Sequence, residues 1–585
     1  GHQPMTSGSG RYVIVFNGEI YNHRELRRAL QACSSDRRWR GHSDTETLLA
    51  AFEIWGVEHT LRELVGMFAF ALWDRHDRVL TLARDRMGEK PLYYGWQGNT
   101  FLFGSELKAL KAHPAFNTLI DRGALALLLR HNYIPAPYSI YEGIGKLPAG
   151  SFLQMSLHRR EAKPVVYWSL TEVAERGMSS PFAGSDEEAL AALELHLGAA
   201  VRGQMVADVP LGALLSGGID STAIAALMQM NARQPVRTFT IGFGERDYNE
   251  AAHARAVAAY LGTDHTELQL NGDDALALVP QMPAMYDEPF ADSSQLPTHL
   301  VMKLARQHVT VALSGDAADE LFGGYNRYVL APKVWHNIGW MPLPLRRALG
   351  AGLTSISIER INRLAEPLSH RIGITQLGDK AHKLGHRLRE TRSMHDLYVS
   401  LVSEWHRPEH IVVGGHMPSC LLDERSRWPR LPDPVSRMMA LDGLTYLPDD
   451  ILVKVDRAAM AVSLETRAPF LDRDVIHFAW SLPMNMKIRD GQGKWLLRRL
   501  LDRYIPRELV ERPKMGFGIP LDTWLRGPLR DWGESQLAED RLRREGYLHP
   551  EPVRAAWQAH LAGHANYGYR LWSVLMFQAW LEVNN

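Results

Sequence analysis

The chain has 585 residues, of which 45% are hydrophobic and 23% are charged. This length predicts two or more domains, and this balance excludes a mainly disordered chain. The 66 basic residues equal the 66 acidic residues, so no overall charge recruits nucleic acid or an acidic membrane.

The cysteine content and the lack of long apolar runs indicate the cellular compartment of the protein. Two cysteines, Cys33 and Cys420, are too few for a disulfide framework, which favours a reducing cytoplasm. No apolar run approaches the roughly 20 residues that span a bilayer. The opening GHQPMTSGSG lacks a signal-peptide pattern and a starting Met. We therefore expect a cytoplasmic protein whose given sequence begins partway through its first domain.

The region up to residue 170 alternates between predicted strands and helices. Runs such as RYVIVFNGEIYN, GMFAFALWD and RVLTLARD are rich in β-branched and aromatic residues and are separated by turn residues, which predicts strands. The segments HRELRRALQA and DTETLLAAFEIWG have apolar residues three and four positions apart, which predicts helices. Together they indicate a sandwich of sheets and helices.

A small, polar segment, TEVAERGMSSPFAGSDEE, predicts a linker within residues 171–190 between domains 1–170 and 191–585. Beyond it, the apolar segments LGALLSGG, VRTFTIGF and VTVALSGD alternate with helical patterns. That alternation predicts a parallel, doubly wound sheet. From about residue 331 onward the pattern is mostly helical.

The stretch LGALLSGGIDST concentrates glycine, hydroxyl and carboxylate side chains at the point where a strand becomes a helix. Helix N-termini hold anions, and adjacent glycines let the backbone close around a phosphate. An aspartate here makes sense chiefly if Mg²⁺ bridges it to phosphate oxygens. The structural alternative is a capped helix after a glycine turn. The predicted phosphate-binding residues are Ser216, Gly217, Gly218, Asp220, Ser221 and Thr222.

The segment SGGIDST resembles the pyrophosphate-binding loop of ATP pyrophosphatases, which cleave ATP between the α and β phosphates. Two later stretches narrow the resemblance, LSGDAADELFGGY (Leu313–Tyr325) and YLPDDILVKVDRAAMAVSLETRAPFLD (Tyr446–Asp472). With FNGEIYN, SDTE, ARDRMGEKPLYY and FGSELKAL, they make the chain similar to glutamine-dependent asparagine synthetases. The resemblance implies an α/β fold, with an incomplete N-terminal Ntn-hydrolase-type αββα sandwich and then a doubly wound PP-loop synthetase domain with a helical C-terminal part.

The same resemblance implies a ligase that makes asparagine from aspartate through β-aspartyl-AMP, releasing AMP and pyrophosphate, with ATP and Mg²⁺. Lys494 matches the lysine that neutralises charge on the α-phosphoryl group, and Asp220 with Asp319 would hold the metal. Asp316 is a further predicted catalytic residue. Residues expected at the nucleotide are Leu214, Ile241, Ser314 and Gly315, and RPKMGFGIP adds Arg512, Lys514 and Gly516, for which an ordinary solvated loop is the alternative.

For the amino-acid substrate, the candidates are Asp316, Asp450, Glu465 and Arg467. A carboxylate would engage the substrate α-amino group, and the arginine would bind its α-carboxylate in a bidentate fork. A structural network of salt bridges is the alternative for each of these residues. The segment DEPFADSSQLPTHL also resembles the family, and its role is left open.

In the family, the first domain releases ammonia from glutamine with an N-terminal cysteine, and the given sequence begins with Gly1 instead. Asn17 and Gly18, in NGEIYN, match residues that face glutamine and its oxyanion, and Asp44 matches the acid that pairs with its α-amine. Cys33 has no histidine near it in sequence and is expected to be structural. The expectation is therefore that glutamine sites persist but that this chain uses ammonia.

The predicted partners are small molecules, namely aspartate, ATP and glutamine or ammonia, with no nucleic acid and no membrane; a homodimer is left open. Two other functions stay open. One is amidation of a different carboxylate, such as a sugar acid or a β-amino acid that closes a lactam. The other is an inactive nucleotide-binding subunit, against which the presence of Asp220, Asp319 and Lys494 argues.

Overall fold

The computed structural model describes residues 2–33, 38–156, 161–243, 250–270, 272–358, 360–361, 363, 377–511 and 518–584. The N-terminal strands are β1 (Met5–Thr6), β2 (Tyr12–Ile20), β3 (Gly66–Asp74), β4 (Val79–Arg84), β5 (Tyr93–Gln97), β6 (Thr100–Gly104), β7 (Ile144–Lys146), β8 (Ser151–Ser156) and β9 (Val165–Val166). The helices among them are α1 (His23–Cys33), α2 (Asp44–Trp55), α3 (Val57–Glu63), α4 (Leu107–Lys111) and α5 (Arg122–His131).

Two antiparallel sheets lie at the middle of this N-terminal part, with strand orders β1-β2-β3-β4-β8-β9 and β6-β5-β7. One face of the larger sheet packs on α2 through Phe70 and Phe52. Its other face meets the smaller sheet through Leu82 and Tyr94. Leu107 of α4 belongs to the core on the far side of the smaller sheet. The layers are therefore helix, sheet, sheet and helix, which confirms the predicted αββα sandwich.

The segment predicted as a linker contains helix α6 (Leu170–Ser179) and the start of α7 (Asp186–Gln204). Ser169 and Ser185 cap these helices with their side-chain oxygens. Leu170 and Val173 bury one face of α6 in the same core as Trp480. Ser185, one of the hydroxyl residues that suggested a loop, is thus a helix cap, and the connection between the two sheets is mostly helical.

A parallel sheet follows, formed by β10 (Leu211–Leu214), β11 (Arg237–Phe243), β12 (Asp264–Leu270), β13 (Val311–Leu313) and β14 (Glu465–Arg467). The order is β12-β11-β10-β13-β14, and every neighbouring pair is parallel. The chain runs outward from β10 to β12 and then returns to place β13 on the other side of β10. The carboxyl ends of β10 and β13 therefore adjoin at a topological switch point, where open α/β sheets bind ligands.

Strands β10, β11 and β13 were predicted, whereas β12 and β14 were not. The three residues of β14, in a mainly helical region, are too few to show a strand period. The helices of this part are α8 (Ile219–Asn231), α9 (Ala251–Leu261), α10 (Gly272–Leu276), α11 (Met282–Met285), α12 (Gln295–Arg306), α13 (Ala318–Phe322), α14 (Asn326–Ile338), α15 (Leu343–Ser355), α16 (Leu377–Glu390), α17 (Met394–Leu401), α18 (Pro434–Leu444), α19 (Leu452–Met460), α20 (Arg473–Ser481), α21 (Met484–Lys487), α22 (Trp495–Leu501), α23 (Leu521–Arg526), α24 (Arg530–Gln536), α25 (Glu539–Glu545), α26 (Pro550–Leu561) and α27 (Gly568–Asn584). Within the described ranges, none of them has the length and apolarity needed to cross a membrane.

Candidate functional site

A cavity of about 920 Å³ opens at the carboxyl edge of the parallel sheet. The loops after β10 and β13 form part of its wall, together with α14 and the residues before α22. Most residues predicted for the nucleotide and metal line it. They are Leu214, Ser216, Gly218, Asp220, Ser221, Ile241, Ser314, Gly315, Asp316, Asp319 and Lys494.

The turn between β10 and α8 is held by its own hydroxyl groups. Ser216 Oγ lies 3.0 Å from Ser221 Oγ, and the Ser216 amide donates to Ser221 Oγ at 3.1 Å. Gly218 is the N-cap of α8, and no side chain caps this helix. Ser221 thus satisfies a backbone amide of the turn, as the structural alternative expects, but no side chain of the N-cap residue caps α8, whose positive dipole end lies at the cavity edge.

Two glycines let other backbone segments approach this turn closely. Gly217 has φ +72°, and a Cβ there would lie 2.7 Å from the Ala254 amide nitrogen of α9. A Cβ on Gly315 would lie 2.7 Å from the Ser221 amide nitrogen, so the loop after β13 touches the start of α8. Thr222 is fully buried and does not line the cavity. Thr222 and Gly217 therefore pack the turn against the protein interior and do not contact the cavity.

Lys494 connects the two predicted metal-binding acids. Its Nζ lies 2.5 Å from Asp220 Oδ2 and 2.6 Å from Asp319 Oδ1. Burial opposes its charge, but the attraction of both carboxylates outweighs burial and raises the pKa of Lys494 above its ordinary value. Gly324 makes room for this group, since a Cβ there would lie 2.0 Å from both Asp319 Oδ1 and Lys494 Cε. The residue predicted to stabilise phosphoryl charge is thus a buried, charged ammonium.

A second charged cluster, which we call the Lys454 cluster, lies on the same cavity and consists of Lys454, Asp292, Ser294 and Asp450. Lys454 Nζ lies 2.7 Å from both Asp292 Oδ2 and Ser294 Oγ. Burial first, and then the charge of Asp292, raise the pKa of Asp450 well above its ordinary value. Lys454, Asp292 and Ser294 line the cavity, whereas Asp450 does not. The cluster places a cation on the same cavity as the turn between β10 and α8.

Sequence reasoning named Asp450 but missed its partners. The signal was present in DEPFADSS, whose Asp292 and Ser294 bind Lys454, and in the buried aspartates of LPDD. The π-helical segment Leu447–Ile451, directly before α19, is a further marker, because π-helical insertions are frequent at functional sites. Asp316 lies near this cluster, and burial raises its pKa.

Glu465 and Arg467 lie elsewhere. The Arg467 guanidinium donates to the carbonyls of Gln204 and Val206 at 2.7 and 2.8 Å and to Glu465 at 2.7 Å. Neither Glu465 nor Arg467 lines the large cavity. Arg467 instead lines a cavity of about 20 Å³ between the two parts of the chain. This arrangement is the structural salt-bridge network that the sequence had left open for these two residues.

Arg512, Lys514 and Gly516 lie outside the described residues. Cys33 ends α1 and is exposed, while Cys420 is buried, and both are free thiols. Neither cysteine lines the large cavity.

The residues predicted for glutamine converge at the end of β2. Asn17 Nδ2 donates to Ser105 Oγ at 3.0 Å, and Asp44 accepts the Ile20 amide at 3.0 Å. A Cβ on Gly18 would lie 2.1 Å from the Met67 carbonyl oxygen, so only glycine allows β2 to approach β3 so closely here. Glu19 directly follows Gly18 on β2. Burial, and then the charge of Asp44, raise the pKa of Glu19 to about 7.

Comparison with known proteins gives one family model for each of the two parts of the chain. Residues 192–582 match the family model described as asparagine synthase, and residues 1–168 match the model of a glutamine amidotransferase domain. A protein of Mycobacterium tuberculosis strain H37Rv, provisionally named glutamine-hydrolyzing asparagine synthetase, is 36% identical over 599 residues, which cover 100% of this chain and 86% of that protein. The glutamine-hydrolyzing asparagine synthetase 1 of Bacillus subtilis strain 168 is 31% identical over 594 residues, which cover 100% and 87%. The chain belongs to the asparagine synthase family.

Proposed function

We propose that this chain makes asparagine in two steps inside the large cavity. The aspartate side-chain carboxylate attacks the α-phosphorus of ATP and releases pyrophosphate, and ammonia then displaces AMP from the acyl-adenylate. The observation that carries this proposal is the position of Lys494 between Asp220 and Asp319 beside the α8 turn. A fixed cation at that place can stabilise the charge that develops during phosphoryl transfer.

The nucleotide half of the site consists of the α8 turn and the neighbouring strand ends. The amides and hydroxyls around Ser216 and Ser221 would bind the β and γ phosphates, as helix N-termini bind anions. Leu214, Ile241 and Gly315 line the cavity at the strand ends and would border the adenine. Lys494 would contact the α-phosphoryl oxygens.

The donor set suits Mg²⁺. Asp220 and Asp319 offer carboxylate oxygens beside the phosphate turn, which are ligands that Mg²⁺ prefers. Within the described ranges, no group of three or more His, Cys, Asp or Glu side chains could hold a metal by itself, so phosphate oxygens would complete the coordination. When bound, the ion would neutralise charge on the departing pyrophosphate.

The Lys454 cluster would bind the acceptor. Lys454 lies on the cavity wall beside Asp292. Its ammonium would contact the substrate α-carboxylate through charge-assisted hydrogen bonds. Asp316 would face the substrate α-ammonium group. Arg467, which the resemblance had suggested for the carboxylate, would instead hold the domains together through its contacts with Gln204 and Val206.

Use of free ammonia stays the prediction for this chain, and any ammonia released from glutamine would reach the cavity from the N-terminal domain. The small cavity is lined by Met67, Glu89 and Lys90 from that domain, and it shares Ser314 and Asp316 with the large cavity. We infer that Asn17, Gly18 and Asp44 bind glutamine, and that the chain divides into domain 1–170, connection 171–190 and domain 191–585.

The proposal is tested by measuring AMP and amide formation with ATP, Mg²⁺ and ammonium across candidate acids. We expect AMP to accumulate with aspartate, in equal amounts to asparagine. Turnover with a sugar acid but not with aspartate would contradict the substrate assignment. Nucleotide binding without AMP from any acid would contradict an active enzyme.

A further inference from the structure

A tight turn between α21 and α22 leads the chain to Lys494. Gly491, Gln492 and Gly493 line the large cavity on the way, whereas Arg489, which begins the turn, does not. The Gln492 amide donates to the Arg489 carbonyl at 2.9 Å, and the Arg489 amide donates to the Gln492 carbonyl at 3.0 Å. The backbone of Arg489 is therefore paired across the turn that carries Lys494.

The backbone of this turn has little freedom of position. Asp490 has φ +54° and Gly491 has φ +76°, positive values at both central positions as in a type I′ turn, for which Asp-Gly is a preferred sequence. A Cβ on Gly493 would lie 2.1 Å from the Gly323 carbonyl oxygen, so the turn lies directly against the end of α13. A shift of the turn would therefore move Lys494 as well.

The Arg489 side chain contacts three segments around the turn. Its Nη1 and Nη2 donate to Asp186 Oδ2 and Oδ1 at 2.8 and 2.9 Å, a bidentate pair with the first residue of α7. Its Nε donates to the Asn485 carbonyl of α21 at 3.0 Å. Its guanidinium carbon lies 3.5 Å from the ring centroid of Trp495, the residue directly after Lys494. One planar group therefore joins both ends of the turn to α7.

The start of α7 does not need Asp186 as its cap. Ser185 and Glu188 form a capping box there, and Glu187 adds a further acid to the first turn. These residues already satisfy the free amides and the dipole at the helix start. The Asp186 carboxylate is therefore available as the anchor of the Arg489 guanidinium.

The pair between Arg489 and Asp186 differs from an ordinary surface ion pair. Isolated exposed pairs contribute little, because water screens them and two long side chains lose freedom. Here the Arg489 side chain is only 27% exposed, both terminal nitrogens are used, and an indole ring covers the guanidinium face. Lysine can reproduce neither the fork nor the stack. We therefore expect the pair to fix the geometry of the turn more than it stabilises the fold.

We propose that Arg489 is a positioning residue for adenylate formation, which acts on Lys494 through Trp495 and the turn and is anchored by Asp186. In that step a carboxylate oxygen of aspartate bonds to the α-phosphorus, and the bond to the bridging oxygen breaks as pyrophosphate leaves with the electron pair. Arg489 holds the Lys494 ammonium where this charge develops, because even small displacements of a catalytic group lower the rate steeply. This inference rests on the proposed function and adds the group that places its central lysine.

Aspartate-dependent exchange between ATP and labelled pyrophosphate measures this half-reaction in the whole chain. Arg489→Lys keeps the charge beside Asp186 but loses the fork and the stack. We expect the exchange rate at saturating substrates to fall by about 10-fold, with the KM for ATP changed by less than about threefold. Trp495→Leu removes the stacked ring and should give the same pattern, and combining the two substitutions should give little further fall.

The matched control is Arg11→Lys, far from the cavity in the N-terminal domain. Arg11 donates to both carboxylate oxygens of Asp74, at 3.0 and 2.6 Å, and its guanidinium carbon lies 5.0 Å from the ring centroid of the next residue, Tyr12. It thus has the same fork and a neighbouring ring, but it does not line the cavity. Its exchange rate should equal that of the wild type.

A Lys494→Ala background separates positioning from a general loss of structure. At a higher enzyme concentration, Arg489→Lys should not lower the exchange rate of this background further, because no ammonium is left to place. A further 10-fold fall there would overturn the positioning role. A wild-type rate in a folded Arg489→Lys protein, a change confined to the KM for ATP, or an equal loss in Arg11→Lys would do the same. If the wild-type chain shows no aspartate-dependent exchange, the proposed function itself fails, so the two failures are distinguishable.

Discussion

The Lys494 ammonium lies 2.5 Å from the Asp220 carboxylate, although 274 positions separate the two residues in the chain. Lys494 precedes α22 with φ +58°, a left-handed conformation that is uncommon outside glycine. The Lys494 amide donates to the Phe322 carbonyl at 2.9 Å, which ties this conformation to α13 and so to Asp319. Backbone and side chain therefore both connect α22 to the wall of the large cavity.

Lys494→Ala should separate binding from chemistry. Because the ammonium acts on charge that develops during phosphoryl transfer, we expect pyrophosphate release to fall by about 100-fold or more, with ATP affinity changed only a few-fold. Asp220 and Asp319 also lose their shared cation, so the melting temperature should fall and should respond more strongly to added Mg²⁺ than that of the wild type.

Lys333→Ala is the control for that experiment, since Lys333 is an exposed lysine at the rim of the same cavity. It should turn over normally. Unchanged pyrophosphate release in Lys494→Ala would remove this residue from the mechanism.

Gly324→Ala tests whether Lys494 and Asp319 must meet. An added Cβ would lie 2.0 Å from an atom of each side chain, and because both are side-chain atoms they can move aside without unfolding the loop. We expect a folded protein with turnover reduced by about 100-fold. The comparison variant is Gly203→Ala, where a Cβ meets nothing within 4 Å. Wild-type turnover in Gly324→Ala would show that the ion pair is dispensable.

Lys454→Gln and Arg467→Gln together test which cation binds the acceptor. Losing a charge-assisted hydrogen bond in the Lys454 cluster should raise the KM for aspartate by about 10- to 100-fold. Arg467→Gln should leave that KM nearly unchanged and lower the free energy of unfolding by about 2 kcal/mol, because it removes bonds to Gln204 and Val206. The reverse pattern, with KM affected only in Arg467→Gln, would restore the assignment suggested by the family resemblance.

The burial of His131 leads us to expect that the folded protein loses stability in acid. Burial, and then the nearby Arg130, lower its pKa to about 3. The unfolded chain therefore binds more protons than the folded chain below the ordinary histidine pKa of about 6.5, and stability falls as the pH drops from there toward 3. We expect this residue to cost about 2 kcal/mol of stability at pH 5 relative to pH 8.

His131→Asn provides the measurement, because asparagine can still donate to the Val402 carbonyl, which His131 Nδ1 contacts at 3.2 Å, but does not titrate. Urea unfolding of this variant should show a smaller difference in midpoint between pH 8 and pH 5. His76→Asn removes an exposed histidine and should keep the wild-type difference. An unchanged difference in His131→Asn would exclude this source of acid sensitivity.

The family resemblance implied the αββα order of layers, whereas the residue patterns themselves determined the order of the two parts, a sandwich of sheets and helices followed by a parallel sheet, and the loop that ends β10. These features depend on local patterns, because apolar periodicity, turn residues and short motifs are read within a few consecutive positions. The family resemblance of their motifs also pointed to Lys494, Asp220 and Asp319. For Arg467 the sequence could only offer a binding role and a structural role side by side.

Only the tertiary structure decided which charged side chains share a cavity. Lys454 meets Asp292 and Ser294 across 162 and 160 positions, and Arg327 meets Asp442 across 115. No local pattern encodes such pairs, because their partners are chosen by how α14, α18 and α19 pack against the sheet. Packing likewise turned Arg467 toward Gln204 and Val206, since β14 forms the sheet edge at the boundary between the two parts of the chain.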